Sequence, residues 1–205
     1  MTRVTIHVST AVRLEGRWDV AEAAERVVVF CHPHPLQRGT MNAPLMIAVT
    51  RALVERGFAV LRFNYRGVGA STGAWDDGRG EVDDVAAAAA LAAATYPDLP
   101  QRVAGWSFGA VMSLRWQARD GSTLPWAGIA PPVGSDRTPP MPEPPELTPA
   151  PRMIIVGDRD QFTTVSAVEA YAASIGASVE VLQGSDHFFY FREARVGDHV
   201  AEALV

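Results

Sequence analysis

Apolar and polar residues alternate along Val4-Thr5-Ile6-His7-Val8 and again along Val12-Arg13-Leu14-Glu15-Gly16-Arg17-Trp18. A period of two marks a half-buried strand, and together the two stretches predict an antiparallel edge hairpin. The pattern then changes. Val27-Val28-Val29-Phe30 and Ala59-Val60-Leu61-Arg62-Phe63 are nearly continuous apolar runs, as expected of parallel strands covered on both faces. Between them residues 43–55 read as a helix, with Gly57 placed as its terminator. Further helices are predicted over 81–96, 108–119, 165–175 and beyond Phe191, and further strands over 102–104, 127–130, 153–156 and 179–182. Glu81, Asp83 and Asp84 fall in what reads as the first turn of their helix, where its dipole favours acids. Strands alternating with helices imply an α/β fold. The expected form is a mostly parallel central sheet with an antiparallel N-terminal edge hairpin and helices on both faces.

One segment stands apart. Nine of the 15 prolines lie between Pro131 and Pro151. Proline this dense excludes both a helix and a central strand. The segment is expected to be an ordered surface connection, with a mobile flap over a site as the other reading.

Composition narrows the class. A chain of 205 residues suits one domain over 1–205, and 48% hydrophobic with 20% charged residues excludes a disordered, collagen-like or coiled-coil chain. Eighteen basic against 23 acidic residues give a net charge of -5. This gives no general pull toward nucleic acid or anionic lipid, so neither is expected as a partner. The single cysteine, Cys31, excludes an intramolecular disulfide and fits a reducing compartment. The longest apolar run, Val85 to Ala94, is too short to span a bilayer. The start lacks the apolar centre of a signal peptide. A soluble, cytoplasmic protein is expected, of undetermined oligomeric state.

Gly105-Trp106-Ser107-Phe108-Gly109 is a G-x-S-x-G. Alone the pattern is weak. Here it follows a short apolar strand and opens a helix, the setting of a nucleophile elbow. Such a turn raises the Ser107 hydroxyl above the sheet. Gly105 and Gly109 are then the elbow glycines, where any Cβ would collide, and the competing reading is an ordinary turn with a helix-capping serine.

A serine hydroxyl needs a base to take its proton. Of His7, His32, His34, His187 and His199, only His187 follows the last predicted strand on a loop at the carboxyl end of the sheet. An acid must orient that base. Asp160, after the strand 153–156, gives the chain order Ser107, Asp160, His187. Asp158 is its rival and could instead hold the loop, and Asp186 reads as a loop acid. Two N–H donors should face the developing oxyanion. Phe108 supplies one. In Cys31-His32-Pro33-His34-Pro35-Leu36 the prolines have no N–H, so His34 or Leu36 supplies the other, and His34 is favoured. His32-x-His34 also admits a metal reading, but beyond the adjoining Cys31 no Asp or Glu lies close by in sequence to complete a site. No metal or cofactor is expected.

These motifs together resemble the α/β-hydrolase superfamily from the Val27 strand to the final helix. Asn64-Tyr65-Arg66-Gly67-Val68-Gly69-Ala70-Ser71 is similar to its D-x-R-G-x-G-x-S turn, with Asn64 where Asp is common. His32-Pro33-His34-Pro35 with Gly39-Thr40-Met41 resembles a small bacterial subgroup without a lid domain. That subgroup usually shows two glycines before Thr40; here the first is Arg38. The superfamily lid commonly follows the strand after the elbow helix. Only the Pro-rich stretch stands there, so the triad is expected to be open to water. The resemblance implies a serine hydrolase of soluble short-to-medium acyl esters or thioesters. The alternatives are a peptidase or amidase using the same triad, or a silent fold used for binding.

Overall fold

The computed structural model describes residues 2–205. All eight strands lie in one sheet, in the order β1-β2-β4-β3-β5-β6-β7-β8. The hairpin of β1 (Thr2–His7) and β2 (Arg13–Val20) forms one edge, with Ile6 opposite Leu14. β2 runs antiparallel to β4 (Phe58–Phe63). Every other neighbour is parallel: β3 (Arg26–Cys31), β5 (Gln101–Trp106), β6 (Trp126–Ile129), β7 (Arg152–Gly157) and β8 (Ser178–Leu182).

The continuous apolar runs have a direct cause. Val27, Val29 and Cys31 of β3 enter the core beneath α2 (Arg79–Thr95), α3 (Phe108–Asp120) and α4 (Val165–Ile175). Val28 and Phe30 enter a second core beneath α1 (Pro44–Glu55) and α5 (Glu193–Leu204). A strand covered on both faces needs an apolar residue at every position, and burying each such side chain contributes about 1.5–3 kcal/mol. The sheet edge behaves differently. On β1 only Ile6 is buried, so the alternation survives there.

One sequence expectation needs correction. α2 begins at Arg79, so Asp83 and Asp84 fall in its second turn, beyond the reach of the dipole. Glu81 instead accepts the N–H groups of Gly78 at 2.8 Å and Asp76 at 2.9 Å, capping the helix. Asp84 is buried and holds Arg66 at 2.7 Å, while Asp83 meets Arg119 on the surface.

The Pro-rich segment 131–151 contains only one short 3₁₀ turn, Pro144–Glu146. Its carbonyls are tied to the body. Val133 accepts from Thr163, Pro140 from Arg115, Pro142 from Tyr171 and Thr148 from Arg152, at 2.7–3.1 Å. Val133, Met141 and Leu147 pack inward against the core under α2, α3 and α4. It is a fastened strap. Among the described residues, no helix is long and apolar enough to cross a membrane.

Candidate active site

β5 ends at Trp106 and α3 begins at Phe108, leaving one residue for the turn. Ser107 makes that turn at φ 54°, ψ -118°, a left-handed conformation that a side chain adopts only under constraint. Its N–H donates to the Ile129 carbonyl at 2.7 Å, and its own carbonyl accepts from Ala110. The glycines beside it allow this crossing. A Cβ on Gly105 would stand 2.3 Å from the Gly109 backbone, and one on Gly109 would stand 2.2 Å from the Cys31 carbonyl oxygen.

The loop after β8 brings His187 to the serine. His187 Nε2 lies 2.9 Å from Ser107 Oγ, and its Nδ1 lies 2.7 Å from Asp160 Oδ2. An Nδ1–H donated to the carboxylate leaves the Nε2 lone pair facing the hydroxyl. The other Asp160 oxygen accepts from Phe162 N–H at 2.8 Å and Thr163 N–H at 3.3 Å, so the acid is held from both sides. Its side chain is fully buried. Asp158 instead accepts the Ser185 N–H at 3.1 Å and fastens the loop. Asp186 accepts the Phe188 N–H at 3.0 Å. His199 lies 3.5 Å from Glu180, away from these groups, and His7 is on the exposed side of β1.

His34 and Phe108 arrive from opposite sides. Their ring centroids are 5.1 Å apart, and Trp75 stacks on both. Phe108 is the first residue of α3, so its N–H has no carbonyl to bond within the helix. The His34 N–H also donates to no protein acceptor among the described residues. The ring of His34 accepts the Leu36 N–H at 3.2 Å. Burial holds the ring below the ordinary histidine pKa. Arg38 ends the short turn after it at φ 63°, the conformation a glycine takes at no cost, which accounts for the usual glycine there.

The metal reading of His32-x-His34 does not match the rings' use. His32 Nδ1 contacts the Pro33 carbonyl at 2.6 Å and Nε2 accepts the Tyr65 N–H at 3.1 Å. Burial lowers the His32 pKa to about 3, so the ring is a neutral strut. Cys31 is no rival nucleophile either. It is buried, and burial pushes its thiol up to about 12.

The site is less open than the strap's composition suggested. Ser107 is 8% and His187 4% exposed. The cavity beside them holds about 20 Å³ and is lined by His34, Gln37, Phe162 and four strap residues, Pro132, Ser135, Arg137 and Thr138. The strap is therefore one wall of the site. The sequence reading passed over Phe162 and Gln161. Phe162 packs edge-on to His187, with centroids 4.6 Å apart, and Gln161 accepts the His187 N–H. Both directly follow Asp160, the one signal that could have drawn attention to them. Gly157 was also passed over. A Cβ there would lie 2.3 Å from the Ser185 carbonyl oxygen, so it allows the acid and base loops to meet.

Comparison with known proteins gives the family and finds the same fold. The family model described as serine aminopeptidase, S33, matches residues 22–145. An uncharacterized Rickettsia prowazekii protein is 30% identical over 206 residues, covering 94% of this chain and 84% of its own. An α/β serine hydrolase homologue from Coxiella burnetii is 29% identical, with a TM-score of 0.85 covering 100% of this chain and 97% of that one. A Xanthomonas campestris α/β serine hydrolase without a lid is 29% identical, with a TM-score of 0.84 covering 99% and 93%. The chain thus belongs to the serine aminopeptidase S33 family, among the compact α/β serine hydrolases that lack a lid.

Proposed function

We propose that this hydrolase cleaves carboxylic esters or thioesters of small acyl groups through an acyl-enzyme on Ser107. The reading rests on one observation, the unbroken relay from Ser107 Oγ through the His187 ring to Asp160, at 2.9 and 2.7 Å. In acylation, Oγ attacks the carbonyl carbon while its proton passes to Nε2. Asp160 stabilises the imidazolium, and the N–H groups of Phe108 and His34 take up the oxyanion charge. The imidazolium then gives its proton to the leaving alkoxide or thiolate. Water repeats the sequence on the acyl-enzyme, its proton going to Nε2 and then back to Ser107. The small cavity favours a substrate whose acyl part is short at the scissile carbon.

The test is fluorophosphonate labelling with a panel of acyl esters, acyl thioesters and aminoacyl anilides. Wild type should be labelled at Ser107 and turn over the esters or thioesters faster than the anilides. Ser107→Ala should lose the label and on the order of 10⁴- to 10⁶-fold in kcat. Retention of more than about a tenth of wild-type activity by a folded Ser107→Ala would remove Ser107 as nucleophile, since triad losses are far larger. Preference for the anilides would move the activity to peptide bonds.

A further inference from the structure

Arg137 lies on the strap and lines two adjoining spaces. One is the small cavity beside Ser107 and His187. The other is an outer concavity of about 630 Å³, lined with Gly134, Ser135, Asp136, Gln161 and Phe162. The guanidinium thus stands at the threshold between the reacting atoms and the space that would hold the rest of a substrate. The Arg137 backbone N–H donates to Ser135 Oγ at 3.2 Å, and His34 lines the same small cavity. The guanidinium lies 5.8 Å above the Phe162 ring, which packs in turn on His187. Arginine stacks on an aromatic face while its N–H fork remains free to bind a carboxylate.

Arg137 is exposed, and three further observations leave its N–H fork available to a substrate. No carboxylate of the described residues lies within 4.0 Å of the Arg137 guanidinium. The nearest acid of the triad, Asp160, is committed to His187. Beside Arg137, the Thr138 hydroxyl is buried without a partner and lines the same small cavity. Buried polar groups ordinarily find partners. The chain carries a net charge of -5, so an anionic substrate is not drawn to the surface at large. It needs a local cation, and Arg137 is the arginine that faces the reacting atoms.

Building on the serine-hydrolase reading, we propose that Arg137 is a specificity residue. It binds an anionic group of the substrate, so that the preferred esters or thioesters carry a carboxylate a few bonds from the scissile carbonyl. Asp136, the other charged residue of the outer concavity, would repel that anion and confine it to the Arg137 side.

The test uses two matched pairs of esters. In the first the charge is on the acyl side: p-nitrophenyl hemiglutarate against p-nitrophenyl valerate. In the second it is on the leaving group: 4-acetoxybenzoate against 4-acetoxybenzamide. The readout is the ratio of kcat/KM within each pair. Wild type should favour the anionic member about tenfold in at least one pair, the size expected of one charge-assisted contact. Arg137→Ala should bring that ratio close to one, Arg137→Lys should keep part of it, and Arg137→Glu should invert it. The wild-type ratio should shrink as NaCl is raised, because salt screens an exposed charge pair. A wild-type ratio near one in both pairs, or a ratio untouched in Arg137→Ala, overturns the assignment while the serine-hydrolase reading stands. If neither member of either pair turns over and Ser107 takes no fluorophosphonate label, both readings fall.

Discussion

Asn64 shows how one atom's identity can decide a position. Its Oδ1 accepts the Met41 N–H at 2.9 Å, and its Nδ2 donates to Glu15 at 2.8 Å. The first bond anchors the loop that carries His34, where the Met41 carbonyl also accepts from buried Arg62 at 2.6 Å. The second ties that loop to the edge hairpin. A carboxylate here could do the first but not the second. Asn64→Asp should therefore cost about 1–3 kcal/mol near neutral pH, from the lost donor and the facing charge of Glu15. The loss should shrink as pH falls, because a protonated carboxyl again donates. Urea unfolding at two pH values measures it, and an equal loss at both would refute the pairing. His32 is a second such residue. Its pKa falls from 6.5 to about 3 on folding, because burial excludes the charged ring. Between those values the unfolded chain binds the extra proton, so stability is lost as pH falls, by up to about 1.4 kcal/mol per unit from this group. Burial pushes Glu81 and Asp84 upward, which opposes the trend just above their ordinary values near 4. The readout is therefore the difference between wild type and His32→Gln, whose stability should vary less steeply with pH over that range. Parallel curves would show that His32 carries no such linkage.

At the scale of elements, the strands were legible because burial on two faces leaves a mark at every position. Residues 27–30 and 59–63 read as central strands, and β3 and β4 have no exposed residue. The elbow was legible for a related reason. One serine bridges a strand and a helix, and both flanking glycines answer to backbone a few residues or one loop away. Gly109→Ala would set a methyl 2.2 Å from the Cys31 oxygen, so β3 and α3 would have to separate. A loss of about 3 kcal/mol or more is expected, well beyond the usual surface effect. A thermal melt within a degree or two of wild type would show that the crossing is not close. What the sequence concealed were pairings between distant segments. Neither Arg66 with Asp84 nor Arg62 with Asp19 has a local signature, since each depends on where two elements meet. The choice between Asp158 and Asp160 was of this kind too. Both follow β7 within three residues, and only the fold turns the second toward His187.

At the scale of the whole molecule, the strap governs how the site meets its surroundings. A hydrolase that wakes at a lipid surface needs a cover with a hidden apolar underside, which moves aside and exposes that surface when it meets lipid. Here the strap's larger apolar residues, Val133, Met141 and Leu147, are half-buried and already packed against the core, and four side-chain bonds hold its carbonyls. Opening it would expose buried surface at about 25 cal/mol per Å² with nothing built to receive it. The large apolar groups that do face water, Val20, Leu36, Phe188, Tyr190, Phe191 and Val205, lie outside the strap. They are exposed whether or not an interface is present, so they cannot produce a threshold. The rate should thus follow the concentration of monomeric ester smoothly, then level off as added ester enters micelles. The measurement is initial rate against concentration for a short-chain ester across its micelle threshold, with wild type and Tyr171→Phe side by side. Removing the Tyr171 bond to Pro142 frees one fastening of the strap. Both curves should pass the threshold without an upward step. A sharp rise in wild type would mean that the strap is a mobile cover, and a rise only in Tyr171→Phe would identify that bond as what keeps it closed.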